Sequence, residues 1–283
     1  MKKYLFFALT ALIVCGCGKS IEEENESLTA KKITFRVDGD FASPTFTRAA
    51  LSANGSDMTD LWAFDFVDEE CVQMVHQTAE DEDFGSPTLT MAQGAHTVCF
   101  VASRGDTPTL DESAKTIEWA KPSDTFWADY DLTISQSSPG NVSVTLQRVA
   151  TRLRVTIEDA VPTGVSSVDI TPAKWYYGLN YWTGDAAIPK TDITRTISVP
   201  SSYVGTTGLS LSIFGLSNTN DWTTDVALQA KDGNGATVSS VAIANAPFKA
   251  NRTTQYSGHL FGNDGAFTLS LNDEWLDAYN GTW

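Results

Sequence analysis

Four groups of residues have types and spacings that could do chemistry. The first is Val14-Cys15-Gly16-Cys17, at the end of a short apolar run. A cysteine preceded by a small residue at such a position is the pattern of a bacterial lipobox, where the thiol is diacylated and the cysteine becomes residue one. Cys17 fits because Gly16 stands before it, and Cys15 does not because Val14 is too bulky. The second group is the aromatic run Trp175-Tyr176-Tyr177-Gly178-Leu179-Asn180-Tyr181-Trp182. If exposed, Trp175, Tyr177 and Trp182 would form a platform for stacking on sugar faces; if buried, they cap a hydrophobic core. The third is Cys71 with Cys99, on two expected strands, which either pair as a disulfide or remain two free thiols. The fourth is Glu80-Asp81-Glu82-Asp83, whose oxygens could approach calcium, but which lacks a glycine-spaced ligand pattern and reads as a solvated turn.

Other chemistries lack their parts. The 3 histidines, His76, His96 and His259, are far apart with no acidic or cysteine partner at ligand spacing, which leaves no metal site and no cofactor to expect. No serine sits in Gly-x-Ser-x-Gly, and no phosphate-cradling Gly-Lys-Ser/Thr loop follows a strand. Lys and Arg number 19 against 35 Asp and Glu, a formal charge of −16, so a nucleic-acid partner is excluded by the shortage of phosphate-binding cations. These absences argue against an enzyme.

The elements that must carry these residues follow from patterning. Lys2 and Lys3 precede an apolar stretch over 4–14, too short to span a bilayer and right for a signal peptide ending at residue 16. Lipid on Cys17 would then hold residues 17–30 as an acidic tether to the outer membrane, with Glu22-Glu23-Glu24-Asn25-Glu26 at its centre. From residue 31 onward, apolar residues recur with period two: Ile33/Phe35/Val37, Trp62/Phe64/Phe66, Val72/Met74, Val98/Phe100, Leu153/Val155/Ile157, Leu209/Leu211/Ile213 and Phe267/Leu269/Leu271 are examples.

 About fourteen short strands result, with no stretch of helical periodicity, so the fold class is all-β with antiparallel sandwiches. Asp232-Gly233-Asn234-Gly235, Asp68-Glu69-Glu70 and Gln93-Gly94 supply the hairpin turns, while 79–86, 104–128 and 183–194 read as long loops. Apolar parity slips between Val142/Val144/Leu146 and Val149/Leu153/Val155, which requires a bend or bulge near residues 147–150. We place a boundary there, with one sandwich over 31–148 and a second over 149–283.

These features together resemble the fimbrillins of Bacteroidetes, subunits of protease-assembled (type V) pili. The residues that carry the resemblance are the lipobox at Cys17, the acidic run after it (similar to a surface-export signal), and a first strand over 32–38 followed by Phe46-Thr47-Arg48-Ala49-Ala50. Leu61-Trp62-Ala63-Phe64-Asp65-Phe66, Gly94-Ala95-His96-Thr97-Val98, the junction Leu146-Gln147-Arg148-Val149-Ala150 and Ala250-Asn251-Arg252-Thr253-Thr254 follow in order, with Gly258-His259-Leu260 and Asp273-Glu274-Trp275 near the end.

The resemblance implies two transthyretin-like sandwiches in tandem and a structural or adhesive role in a surface fimbrium. It implies export as a lipid-anchored precursor at the outer membrane, then cleavage by an arginine-specific protease in the loop after the first strand. Here that would be after Arg48 and before Ala49, releasing strand 31–38. A neighbouring subunit's C-terminal strand then fills the vacated groove by strand addition. The donor would be the tail over 267–283; if the short run after Leu271 cannot donate, the subunit is a tip or an anchor and not a shaft. The competing expectation is a glycan-binding outer-membrane lipoprotein using Trp175, Tyr177 and Trp182.

Overall fold

The computed structural model describes residues 30–39, 49–50, 58–262 and 267–272. Strands dominate, and the helical content of the described residues is one 3-10 turn at Ser201–Tyr203.

The first half contributes β1 (Lys31–Gly39), β2 (Ala49–Ala50), β3 (Asp60–Val67), β4 (Glu70–Thr78), β5 (Thr88–Met91), β6 (Gly94–Ser103), β7 (Thr109–Asp111), β8 (Thr116–Glu118), β9 (Thr125–Ile134) and β10 (Asn141–Arg148). β1 lies inside its sheet. On one side β10 runs parallel to it, from Thr34 opposite Asn141 to Gly39 opposite Leu146. On the other, β5 pairs antiparallel with Lys31 to Thr34, and the short β2 pairs with Asp38 and Gly39. A second sheet has the order β9-β6-β3-β4, and β10 reaches it through Gln147 and Arg148, opposite Trp127 and Phe126. Period-two alternation sends Ile33, Phe35, Val37 and Leu89 of one sheet against Leu61, Val98, Phe100 and Phe126 of the other, closing a single core.

The second half contributes β11 (Ala150–Ile157), β12 (Val165–Pro172), β13 (Trp175–Asn180), β14 (Ala186–Lys190), β15 (Arg195–Ser198), β16 (Leu209–Leu216), β17 (Trp222–Asp232), β18 (Thr237–Phe248), β19 (Thr253–Gly258) and β20 (Phe267–Asn272). Two four-stranded sheets, β16-β11-β19-β20 and β15-β12-β17-β18, enclose a core that includes Leu153, Val155, Val168, Ile170, Leu211, Ile213, Leu228 and Phe248. The β17–β18 hairpin turns on the expected Asp-Gly-Asn-Gly. Gly235 takes φ 83°, and Asp232 Oδ1 accepts the N–H groups of Asn234 and Ala236. At the parity slip, β10 ends at Arg148 and β11 starts at Ala150, while Val149 between them donates its N–H to the Thr125 carbonyl.

A further four-stranded sheet, β14-β13-β8-β7, joins segments from both halves: Gly178, Leu179 and Asn180 pair with Glu118, Ile117 and Thr116. The stretches 104–128 and 183–194 are therefore not simply loops, because β7, β8 and β14 form within them. This sheet covers the outer face of β3 and β6. Trp62, Phe64, Phe66, Cys99 and Val101 pack there against Ile117, Trp119, Leu179 and Tyr181. β3 is consequently buried on both faces, which its nearly unbroken apolar sequence from Leu61 to Val67 already signals. One alternating pair misleads: Val72 and Met74 of the edge strand β4 are 57% and 40% exposed, beside a register shift opposite Asp65 and Phe66.

Candidate functional site

Two places combine unusual geometry with chemistry the sequence had flagged: strand β1, and the aromatic region around Trp182. In β1 the side chains of Ile33, Phe35 and Val37 have no exposure at all, and the Phe35 ring meets Phe100 at 5.2 Å. Polar contacts hold its rim, with Lys31 Nζ donating to the Gln136 carbonyl at 2.9 Å and the Thr34 and Thr88 hydroxyls 2.8 Å apart. Arg36 lies mid-strand, its guanidinium 3.8 Å from Asp38. Ala49 begins β2, opposite Gly39. Cys17, Arg48 and the tail beyond Asn272 lie outside the described residues. The portion of the tail that is described, β20, is the edge strand of its sheet, and its Leu269 and Leu271 are 41% and 46% exposed.

The expected aromatic platform is not on the surface. Trp175 and Tyr177 are buried to 2% exposure, because β13 turns them into the cores it covers. Trp175 Nε1 donates to the Phe214 carbonyl at 2.8 Å, and its ring abuts Phe248 edge-on at 4.9 Å. Neither ring can meet a sugar. Trp182 differs: it follows β13, remains half-buried and borders an open cavity. The disulfide alternative also fails on geometry. Cys71 pairs opposite Phe66 on one side of β3, and Cys99 opposite Phe64 on the other. Two interstrand spacings separate them by about 10 Å, beyond the ~7 Å that a disulfide spans. Both are free thiols, Cys71 exposed and Cys99 buried. Burial pushes the Cys99 thiol far up, with the Asp129 and Asp131 carboxylates adding to the shift.

The cavity, of about 430 Å³, opens on the outer face at the end of the β9-β6-β3-β4 sheet. Strand register sets Phe66, Thr97 and Asp131 abreast across β3, β6 and β9. The Thr97 hydroxyl donates to Asp131 Oδ1 at 2.6 Å. Asp68 and Glu69, at the tip of the β3–β4 hairpin, complete the acidic rim, both in left-handed backbone at φ 49° and 66°. Trp182 stands against Phe66 with ring centroids 4.4 Å apart. Its N–H bonds Asn180 Oδ1 at 2.9 Å, and its carbonyl faces the Cys99 thiol at 3.6 Å. Beside it, Tyr181 stacks on Phe64 at 4.0 Å, and burial pushes its phenol up to about 12. Lys115 Nζ lies 5.6 Å from both the Phe66 and Trp182 rings and donates to the Glu69 carbonyl at 2.5 Å.

Each histidine has an aspartate partner that sequence spacing could not reveal, since the partners are brought together by sheet register or by the closing of the second sandwich. His76 Nε2 is 2.9 Å from Asp60, His96 Nδ1 is 2.8 Å from Asp65, and His259 Nδ1 is 2.8 Å from Asp159. Burial raises the Asp65 carboxyl, and the hydrogen bond from His96 opposes that rise. His96 directs its other nitrogen to the Ala92 carbonyl. Among the described residues no three His, Cys, Asp or Glu side chains gather as a metal site. Glu80-Asp81-Glu82-Asp83 forms a turn, in which Asp81 Oδ2 accepts the Thr78 N–H at 2.6 Å.

Two stretches distant in sequence, around Arg148 and Asn251, meet where the two halves join. The Arg148 guanidinium binds Asp124 through Nε at 2.7 Å and Nη2 at 3.1 Å, and donates to Asn251 Oδ1 at 3.2 Å. It also lies 4.5 Å over the Phe126 ring. Next to it, Asn251 N–H donates to the Ala150 carbonyl, and Arg152, almost fully buried, donates from Nε to Thr253.

No curated protein matches the chain in sequence. Solved structures match its fold. The fimbrial anchor protein Mfa2 from Porphyromonas gingivalis has a TM-score of 0.53 at 7% identity, covering 86% of this chain and 98% of its own. A candidate polysaccharide-binding protein from Bacteroides thetaiotaomicron reaches 0.57 at 7% identity, covering 86% and 97%. A candidate adhesin from the same organism reaches 0.53 at 10% identity, covering 87% and 97%. At such identities the likeness is one of fold alone. In sequence, a family model matches residues 109–282, more than half of the chain, and by that match the chain belongs to a family of unknown function (DUF6562).

Proposed function

We propose that this chain is a non-enzymatic structural or adhesive subunit of a surface fimbrium. In this reading it is exported as a lipoprotein anchored through Cys17 to the outer membrane, with residues 31–148 and 149–283 as two transthyretin-like units. An arginine-specific protease cuts between Arg48 and Ala49, β1 leaves, and a terminal strand of another subunit takes its place.

The single observation that carries the reading is the place of β1. A first strand bonded on both edges, with Ile33, Phe35 and Val37 wholly buried, is more than a sandwich needs from a dispensable N-terminus. Its removal would leave unpaired N–H and C=O groups on β5 and β10 and an apolar groove between them. Such an edge strongly favours a replacement strand. The parallel β1–β10 ladder is also the weaker kind per residue, which lowers the cost of exchange. The likeness in fold to a fimbrial anchor protein and to candidate adhesins supports the same reading.

The test is treatment of the chain from residue 18 onward with an arginine-specific protease, followed by intact mass and size-exclusion chromatography. A single cut after Arg48 with a ladder of oligomers is expected for a shaft subunit, and a clean cut without a ladder for a tip. Cleavage elsewhere, or a cut that simply unfolds the protein, contradicts the strand-exchange reading.

A further inference from the structure

We propose that the cavity bordered by Trp182 is a saccharide-binding cleft specific for neutral sugars. The proposal develops the adhesive half of the function above, and it replaces the buried Trp175 and Tyr177 with a different set of residues.

The tryptophans divide by what their indole N–H groups bond. Among the six in the described residues, Trp119, Trp127, Trp175 and Trp222 donate their indole N–H to Ser103, the Tyr181 carbonyl, the Phe214 carbonyl and Ser217. Trp62 is buried, with an indole N–H that has no partner in the described residues. Trp182 alone of the six combines solvent exposure at a cavity with an indole N–H that no described acceptor takes up. Its backbone is nevertheless fixed at both N–H and C=O, and its ring is held by Phe66, so the indole is preorganised and not a loose surface side chain.

The carboxylates on the cavity rim are those of Asp68, Glu69 and Asp131. Thr97 occupies one oxygen of Asp131 and leaves Oδ2 for a ligand, while the exposed carboxylates of Asp68 and Glu69 close the rim. Carboxylates accept the hydroxyls of a polyol in charge-assisted hydrogen bonds, and an indole face accepts the C–H face of a pyranose. An anionic sugar would meet repulsion from this rim. A simple cation is disfavoured for a different reason: the chain's own ammonium, Lys115 Nζ, already lies 5.6 Å from the Phe66 and Trp182 ring centroids, and a second cation there would meet its charge. The cavity's volume of about 430 Å³ is in the range of small-ligand sites.

The experiment titrates the uncut chain, from residue 18 onward, with methyl glycosides of glucose, galactose, mannose and N-acetylglucosamine. Sialyllactose serves as an anionic probe and tetramethylammonium as a cationic one. Saturation-transfer NMR and tryptophan fluorescence give the readout. Saturable binding of at least one neutral glycoside is expected, weakened about tenfold or more by Trp182→Ala and also reduced by Asp131→Asn, with sialyllactose binding more weakly. Because Cys99 packs at Trp182, the alanine variant is checked for a still-unreactive Cys99 thiol; Asp131 is exposed, so its variant tests the cleft without disturbing the core. No saturable binding by any neutral glycoside overturns the proposal, as does binding unchanged in both variants or binding of tetramethylammonium alone. None of these outcomes touches the cleavage and oligomer ladder, so failure of the cleft and failure of the fimbrial reading are separable.

Discussion

Replacing Arg148 with methionine should be among the most destabilising single changes in this protein. The side chain is 5% exposed and its partner Asp124 11%, so the substitution strands a carboxylate in a site with little water. Two guanidinium bonds to that carboxylate, at 2.7 and 3.1 Å, are lost together with the bond to Asn251 and the stacking on Phe126. Attraction between unit charges at ~4 Å in an effective dielectric of ~20 is roughly 4 kcal/mol. Breaking a buried pair by removing one partner typically costs about 3–5 kcal/mol. Urea unfolding of wild type, Arg148→Met, Asp124→Leu and the double variant would measure it. The single variants should each cost about 3 kcal/mol or more, while the double variant costs much less than their sum, because no charge is then left unpaired. A cost below about 1 kcal/mol for Arg148→Met, the range of an exposed pair, would refute the reasoning, as would simple additivity of the two singles.

Three further outcomes follow from the same structure. Gly215→Ala should destabilise by about 1–3 kcal/mol, since a Cβ there would lie 2.5 Å from Trp175 Nε1; a wild-type melting temperature would contradict this. In the native chain from residue 18 onward, a maleimide should label one thiol, Cys71, and in denaturant a second, Cys99; rapid native labelling of both would place Cys99 at the surface. The third concerns pH and Asp159. Burial pushes the Asp159 carboxyl up, but the N–H of Phe261 and the contact with His259 outweigh it and hold it below the ordinary 3.8. Its stabilising contribution is therefore complete above that value and is lost as pH falls through the lower, folded-state value. The melting-temperature gap between wild type and Asp159→Asn should narrow as pH drops below about 4, and a gap that stays constant to pH 2 would argue against the assignment.

Much of the fold is legible in the residues because strands obey a local rule. Ile33, Phe35 and Val37 alternate, and all three are buried; Asp232 to Gly235 has turn chemistry, and the chain turns there. What was not legible depends on contacts far along the chain. Nothing local tells that Thr116-Ile117-Glu118 pairs with β13, since three residues carry too little periodicity to register as a strand. The fate of the aromatic run is likewise set by distant contacts: Trp175 and Tyr177 pack into the core of the second sandwich, with Trp175 edge-on to Phe248, while Trp182, beyond the strand's end, reaches a cavity. The cavity itself was hidden because Phe66, Thr97 and Asp131 become neighbours only through register. Val72 and Met74 failed for a converse reason, as alternation names a face but cannot say that a strand stands at an edge with nothing over it.

The central claim is that β1 is an exchangeable strand, and hydrogen exchange tests it most directly. Amides of β5 and β10 would be followed in the intact chain, after cleavage and release of the fragment carrying β1, and after addition of a synthetic peptide spanning 267–283. Protection of residues 88–91 and 141–146 is expected at first, then its loss on release, and its return with the peptide while the second sandwich stays protected throughout. If protection persists once β1 has gone, or if release unfolds the first sandwich and no peptide restores it, β1 is an ordinary core strand and the account is wrong.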